Sequence, residues 1–257
     1  MKGLKGKSLC VYSPKGGVGK TTLLSTIGGV ASLENKKVLL IDFDLFNGSL
    51  SLFINENINR TIFNLIDDLN NNRYKSINDY VYKYNDKIDV LCAPKDPRQG
   101  NKVDSKYIDI ILERVCSIYD VVLVDTGPGL DDITVSILDF VDEILFILNN
   151  DMYTLTNMKN IINIFKDNEI TNYKVLLNNS IDTKIPYFST LEIKKIIGTN
   201  IDYTINKNFF IKDLTSYIYN SKIPVLENNN YKKLKSDISN LEILLKELLG
   251  GEQNEEK

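Results

Sequence analysis

Short runs of consecutive apolar residues alternate along this chain with longer stretches in which apolar positions recur at helical spacing. The first pattern belongs to strands buried on both faces and the second to helices covering them. Their order predicts βαβ units and a mostly parallel sheet. Strands are predicted at Ser8–Tyr12, Lys37–Phe43, Ile88–Ala93, Val121–Asp125, Glu143–Leu148, Tyr173–Leu177 and Ile201–Ile205. Helices are predicted at Thr21–Leu33, Ile62–Leu69, Ser105–Ile118, Ile133–Phe140, Thr154–Phe165, Thr190–Ile197 and Ile211–Tyr219, with a last one from Leu234 to Leu249. No Pro-, Gly- or Ser-rich linker divides the series and no repeat is visible. One domain over residues 1–249 is therefore expected, followed by a polar, acidic, disordered tail at 250–257. The expected class is α/β, a three-layer sandwich around the sheet.

Composition narrows the chemistry. The 257 residues are 43% hydrophobic, enough for a sizeable core. A formal net charge of -3 leaves no global basic field, so no specific nucleic acid is expected as a partner. The chain has no histidine, which excludes Ser–His nucleophiles, His-ligated zinc and imidazole acid–base catalysis. Cys10, Cys92 and Cys116 sit in apolar runs without a C-x-x-C pair and read as buried thiols of a cytoplasmic protein. No apolar stretch approaches the length of a membrane span.

The segment Tyr12-Ser-Pro-Lys-Gly-Gly-Val-Gly-Lys-Thr-Thr22 follows the first strand and opens the first helix. Glycines 16, 17 and 19 let the backbone curl so that the amides of residues 16 to 22, Val18 among them, converge on an anion. The helix N-terminus adds its dipole. Lys20 would reach the β- and γ-phosphates of a nucleotide, the Thr21 hydroxyl would bind Mg²⁺, and Thr22 completes the helix start. An ordinary glycine-rich turn does not explain Gly-Lys-Thr in that register. Asp42 and Asp44 lie on one side of the second strand at its carboxyl end, where ligands bind in open α/β sheets. Val121-Val-Leu-Val-Asp125 delivers a carboxylate to a strand tip before the turn Thr126-Gly-Pro-Gly129, the arrangement of a Walker B strand beside Mg²⁺.

Lys15-Gly-Gly-Val-Gly-Lys-Thr21 resembles the deviant Walker A motif of the MinD/ParA group of P-loop ATPases. The resemblance implies ATP and Mg²⁺ as cofactors and an ATP-dependent homodimer in which Lys15 touches phosphates across the interface. It also implies that Asp44 positions or activates the attacking water, that Asp42 supports the magnesium shell with Thr21 and Asp125, and that Thr126 and Gly127 form a γ-phosphate switch. Asn178 matches the asparagine that meets adenine in these ATPases, with an ordinary loop asparagine as the competing reading. The Asn-Lys-X-Asp pattern of guanine readers is missing, which favours ATP over GTP.

Within the group, the cysteines do not suit a cluster carrier, and the tail has no tyrosine cluster of the bacterial tyrosine kinases. Asp44-Leu45-Phe46 replaces the Asp-Pro-Gln usual in partitioning members. The chain is most similar to the TadZ/CpaE branch, at Ser13–Gly17, Leu40–Phe53, Val90–Pro97 and Asp125–Asp132. That likeness implies a slow ATPase switch that positions or recruits Flp/Tad (type IVc) pilus assembly proteins, at the inner face of the cell membrane or a pole. The alternatives are a MinD-like or flagellar-number regulator at the membrane and a metabolic ATPase or kinase. In Leu234, Ile238, Leu241, Leu245 and Leu248 the last helix has one apolar face. Asp237, Glu242 and Glu247 offset its lysines, so packing on the sheet or a partner is favoured over membrane binding, which is peripheral at most.

Overall fold

The computed structural model describes residues 6–54, 56–180, 187–206, 214–227 and 235–250. Eight strands form one sheet: β1 (Lys7–Tyr12), β2 (Val38–Phe43), β3 (Val81–Lys83), β4 (Ile88–Leu91), β5 (Val121–Thr126), β6 (Glu143–Leu148), β7 (Tyr173–Asn178) and β8 (Tyr203–Ile205). Their order is β3-β4-β2-β5-β1-β6-β7-β8, parallel except for the β3–β4 pair. Every residue of β2 and β5 is buried, as the unbroken apolar runs require of strands covered on both faces.

Helices α1 (Lys20–Leu33) and α9 (Lys235–Leu248) cover one face. The other carries α2 (Ile62–Asn70), α4 (Ile108–Cys116), α5 (Asp132–Phe140), α6 (Met152–Asp167) and α7 (Thr190–Ile197). Two short helices, α3 (Pro97–Gly100) and α8 (Leu214–Tyr219), lie in connections. The result is the expected α/β three-layer sandwich with a mostly parallel sheet.

The elements differ from expectation where local chemistry intervenes. β3 is three residues long, too short for a periodic signal, and pairs antiparallel with β4 at the sheet edge. The strand expected to reach Ala93 stops at Leu91, because the Cys92 carbonyl turns to accept from the Ile62 amide and Pro94 follows. The helix expected from Ser105 begins as a 3₁₀ turn over Ser105–Tyr107, with Asp104 accepting from the Lys106 amide. Leu50–Phe53 forms a further 3₁₀ turn that packs under the site. The expected helix starts at Ile211 and Leu234, and the tail beyond Gly250, lie outside the described residues.

The last helix turns its apolar stripe inward. Ile238, Leu241 and Leu245 are fully buried against α1 and the sheet, and Leu248 nearly so. Glu247 accepts from the Tyr203 hydroxyl at 2.7 Å and pairs with Lys174 at 3.6 Å. Asn240 donates to the Thr204 carbonyl at 2.9 Å. The face that could lie on a membrane is thus occupied by the protein's own core, and among the described residues no helix is long and apolar enough to cross a membrane. Leu245→Ala should lower the unfolding free energy by about 3 kcal/mol, the cost of a buried leucine cavity, read by urea denaturation.

Candidate functional site

The site lies at the carboxyl ends of β1, β2 and β5, three neighbouring strands. β1 ends at Tyr12 and the chain curls through residues 13–19 into α1. Gly19 caps that helix with φ 96°, a left-handed value, and a Cβ on it would lie 2.7 Å from the Asn178 side-chain amide. No side chain caps α1 and its first turn holds no acidic residue, so its leading amides remain open to an anion. Around Gly16 and Gly17 nothing lies within 4 Å of where a Cβ would stand. Val18 is buried and anchors the loop to the core.

Lys20 is only 7% exposed. Burial lowers its pKa, while the charges of Asp125 and Asp44 hold it up. The Thr21 hydroxyl donates to Asp125 Oδ2 and accepts from the Ser49 hydroxyl at 3.2 Å. Asp125 Oδ1 is buried and has no hydrogen-bond partner among the described residues. Burial pushes Asp125 up to about 6, with the Thr21 hydroxyl and Lys20 acting the other way. Asp42 stands directly across from Asp125 in the β2–β5 register and is fully buried. Burial raises its pKa well above the ordinary value, and the neighbouring Asp125 adds to this.

The two aspartates of β2 do different work. Asp42 Oδ1 accepts from the Asp44 amide at 3.2 Å and Oδ2 from the Leu50 amide at 2.9 Å, so it clamps the loop between them. A Cβ on Gly48 would stand 2.8 Å from that same carboxylate and 2.4 Å from the Ala93 Cβ, so only glycine lets the loop close over it. Asp44 is half-buried and accepts from the Asn47 amide at 3.2 Å. Asp44 Oδ1 lies 3.6 Å from where a Cβ on Gly127 would stand, which brings the β2 and β5 turns together. Thr126 is buried and donates to the Val11 carbonyl at 2.7 Å.

The donor set suits a hard divalent cation carried with a nucleotide. It offers one hydroxyl and one carboxylate with a free buried oxygen, and such ions take one or two protein oxygens plus phosphates and water. Thr21 and Asp125 would hold Mg²⁺ directly. Both oxygens of Asp42 already accept backbone amides, so it would support that pair from behind. Among the described residues no cluster of three acidic or cysteine side chains offers another metal site.

Two expected residues sit differently from the simplest picture. Lys15 Nζ is 3.0 Å from Asp151 Oδ2, tied to its own chain rather than to the loop. Asn178 is 3% exposed, donates to the Val18 carbonyl at 2.9 Å and accepts from the Ser180 amide and hydroxyl. Its side chain braces the phosphate loop from below. Asp151 and Ser49 were missed from sequence. Asp151 caps α6, accepting from the Thr154 amide, and Asp-x-x-Thr after a strand reads as nothing more than a helix start. Ser49 carries no motif.

The AAA domain family matches residues 6–183 of the chain. An ATP-binding protein of Methanocaldococcus jannaschii is 24% identical over 57% of this chain and 54% of its own length, so the chain spans about half of that relative. The fold is similar to a ParA family ATPase of Chlorobium tepidum, with a TM-score of 0.79, 18% identity and coverage of 95% of this chain and 99% of that one. It is equally similar to the septum site-determining protein MinD of Pyrococcus horikoshii complexed with Mg-ADP, with a TM-score of 0.79, 19% identity and coverage of 96% and 99%.

Asp125 also makes a stability prediction. The folded protein holds its proton more tightly than the unfolded chain does. Stability is therefore lost as pH rises from 3.8, the ordinary value, through about 6. Asp125→Asn should flatten that slope and raise the melting temperature of nucleotide-free protein at neutral pH by about 3 °C, read by scanning calorimetry. A variant that melts below the wild type there would contradict the buried-charge account.

Proposed function

We infer that this chain, which belongs to the AAA domain family and is a P-loop ATPase of the MinD/ParA type, works as an ATP-controlled dimer switch that positions or recruits other machinery. One observation carries this: a glycine cradle with open helix amides stands over a buried lysine and a Thr21–Asp125 pair whose second carboxylate oxygen is unpartnered. Such a set suits a nucleotide triphosphate with its metal far better than any neutral ligand.

In this reading the loop amides of residues 16–22 and Lys20 bind the β- and γ-phosphates. Thr21 and Asp125 would hold Mg²⁺, which when bound offsets phosphate charge. Asp44 accepts a hydrogen bond from the attacking water and orients it toward the γ-phosphorus. Thr126 and Gly127, held beside Asp44, register whether the γ-phosphate is present. Asn178 sets the depth of the adenine side of the loop through Val18. Lys15 leaves Asp151 and reaches the phosphates of a second copy, so that two chains close face to face. The closed dimer must bind ATP more tightly than the monomer does, since a ligand of equal affinity shifts no equilibrium. Hydrolysis removes the bridge and the pair separates. Turnover is slow until a partner stimulates it.

We propose Flp/Tad (type IVc) pilus assembly proteins as what the switch recruits, on the likeness of Ser13–Gly17, Leu40–Phe53, Val90–Pro97 and Asp125–Asp132 to the TadZ/CpaE branch. A MinD-like spatial regulator at the membrane is the second reading, favoured by relatives that are septum site-determining proteins, among them one 23% identical over 74% of this chain. The buried stripe of α9 counts against that helix as its membrane contact. Co-sedimentation with anionic vesicles in ATP separates the two readings.

The dimer itself is tested by sedimentation with saturating ATP and Mg²⁺. Asp44→Ala should bind ATP, fail to hydrolyse it and accumulate as a dimer, and adding Lys15→Ala should return it to monomer. Lys20→Ala should weaken ATP binding by about two orders of magnitude, the loss of a charged hydrogen bond in a buried site, read by calorimetry. An Asp44→Ala protein that stays monomeric refutes the switch.

A further inference from the structure

Tyr12 is the last residue of β1 and leads into the phosphate loop. It is 1% exposed, and its ring meets Phe146 edge-on with centroids 6.1 Å apart. A phenylalanine would fill that space equally well. The hydroxyl has a separate purpose: it donates to the carbonyl of Pro128 at 3.2 Å. Pro128 is the middle of the turn after β5, between Gly127, on which an added Cβ would stand 3.6 Å from Asp44 Oδ1, and Asp131, which caps α5. A buried tyrosine hydroxyl requires such a partner, and here that partner is the switch turn itself.

A second bond runs beside it. Thr126 donates to the carbonyl of Val11 at 2.7 Å, so two consecutive residues at the root of the phosphate loop are bonded to the β5 turn. Burial raises the Tyr12 hydroxyl to about 12, with the charge of Asp131 adding to it, so the phenol stays a donor at physiological pH. The hydroxyl therefore spans the two segments whose relative position sets the geometry of hydrolysis. One is the loop that would hold the phosphates. The other is the turn whose Gly127 lies beside the Asp44 carboxylate.

We propose that Tyr12 is a positioning residue for ATP hydrolysis, holding the Thr126–Gly129 turn against Asp44 so that the carboxylate meets the attacking water in line with the γ-phosphate. Tyr12 touches neither substrate nor metal in this arrangement; it acts through the Pro128 carbonyl. The inference rests on the reading of Asp44 given above, and the experiment separates failure of one from failure of the other.

The test is steady-state ATPase kinetics of the full chain with Mg²⁺. Tyr12→Phe, which keeps the ring, should lower kcat by about fivefold, the worth of one neutral hydrogen bond, and leave the KM for ATP within about twofold. In an Asp44→Asn background, read on its residual turnover in a single-turnover assay at excess protein, the same change should cost nothing further, because the group it positions is gone. Thr126→Val, which cuts the parallel bond, should give the same kcat-selective loss and serves if Tyr12→Phe folds poorly. Wild-type kcat in both single variants overturns the inference while leaving the Asp44 reading standing. An equal fractional loss with and without Asp44 also overturns it. Undiminished kcat in Asp44→Asn alone overturns the Asp44 reading and this inference with it.

Discussion

Charge held out of water at the carboxyl edge of a parallel sheet is the constraint on which this structure depends. Lys20, Asp42 and Asp125 are all buried, on adjoining segments, at the place where strand carbonyl ends and a helix N-terminus meet. An isolated buried charge costs several kcal/mol, and opposite charges offset that cost only where geometry and hydrogen bonds are complete. Here they are incomplete by one oxygen, Asp125 Oδ1. Asp42 and Asp125 stand opposite each other in the register, and Lys20 is held charged by Asp125 and Asp44. A divalent cation placed at Asp125 Oδ1 would give that oxygen its missing partner.

The loops around that charge are each held by one side chain from a strand end or helix cap. Asp42 clamps the segment from Asp44 to Leu50 through two backbone amides. Thr126 and Tyr12 bond the β5 turn to the root of the phosphate loop. Asp151, through its ion pair, holds Lys15 at home. Each link is one or two polar contacts rather than an apolar interface, so each depends on few atoms. In the sheet beneath, β2 and β5 are buried along their whole length, and their register sets Asp42 opposite Asp125.

The stripe of α9 illustrates how one sequence pattern serves opposite roles. Apolar residues at helical spacing fit a membrane surface and a protein core equally well. Here the core takes them, and polar anchors from Glu247 and Asn240 to Tyr203 and Thr204 fix the helix on the last strand. Gly29 of α1 adds to this side of the molecule, since a Cβ there would stand 2.4 Å from Val225. The layer is packed too closely to release its helix without opening the core.

Much of the fold was legible because buried parallel strands are written as unbroken apolar runs, and all seven expected strands are found within two residues of their limits. The phosphate loop was legible because its chemistry demands glycines and a Gly-Lys-Thr sequence in a fixed register, so the requirement is local. What local pattern cannot carry is the identity of a partner far along the chain. The bonds Tyr12 to Pro128, Lys15 to Asp151 and Asn178 to Val18 each join residues more than a hundred positions apart. Residue type at each of these positions is compatible with core, cap or loop. Only the order of strands in the sheet, which puts β1 between β5 and β6, decides which of them meet.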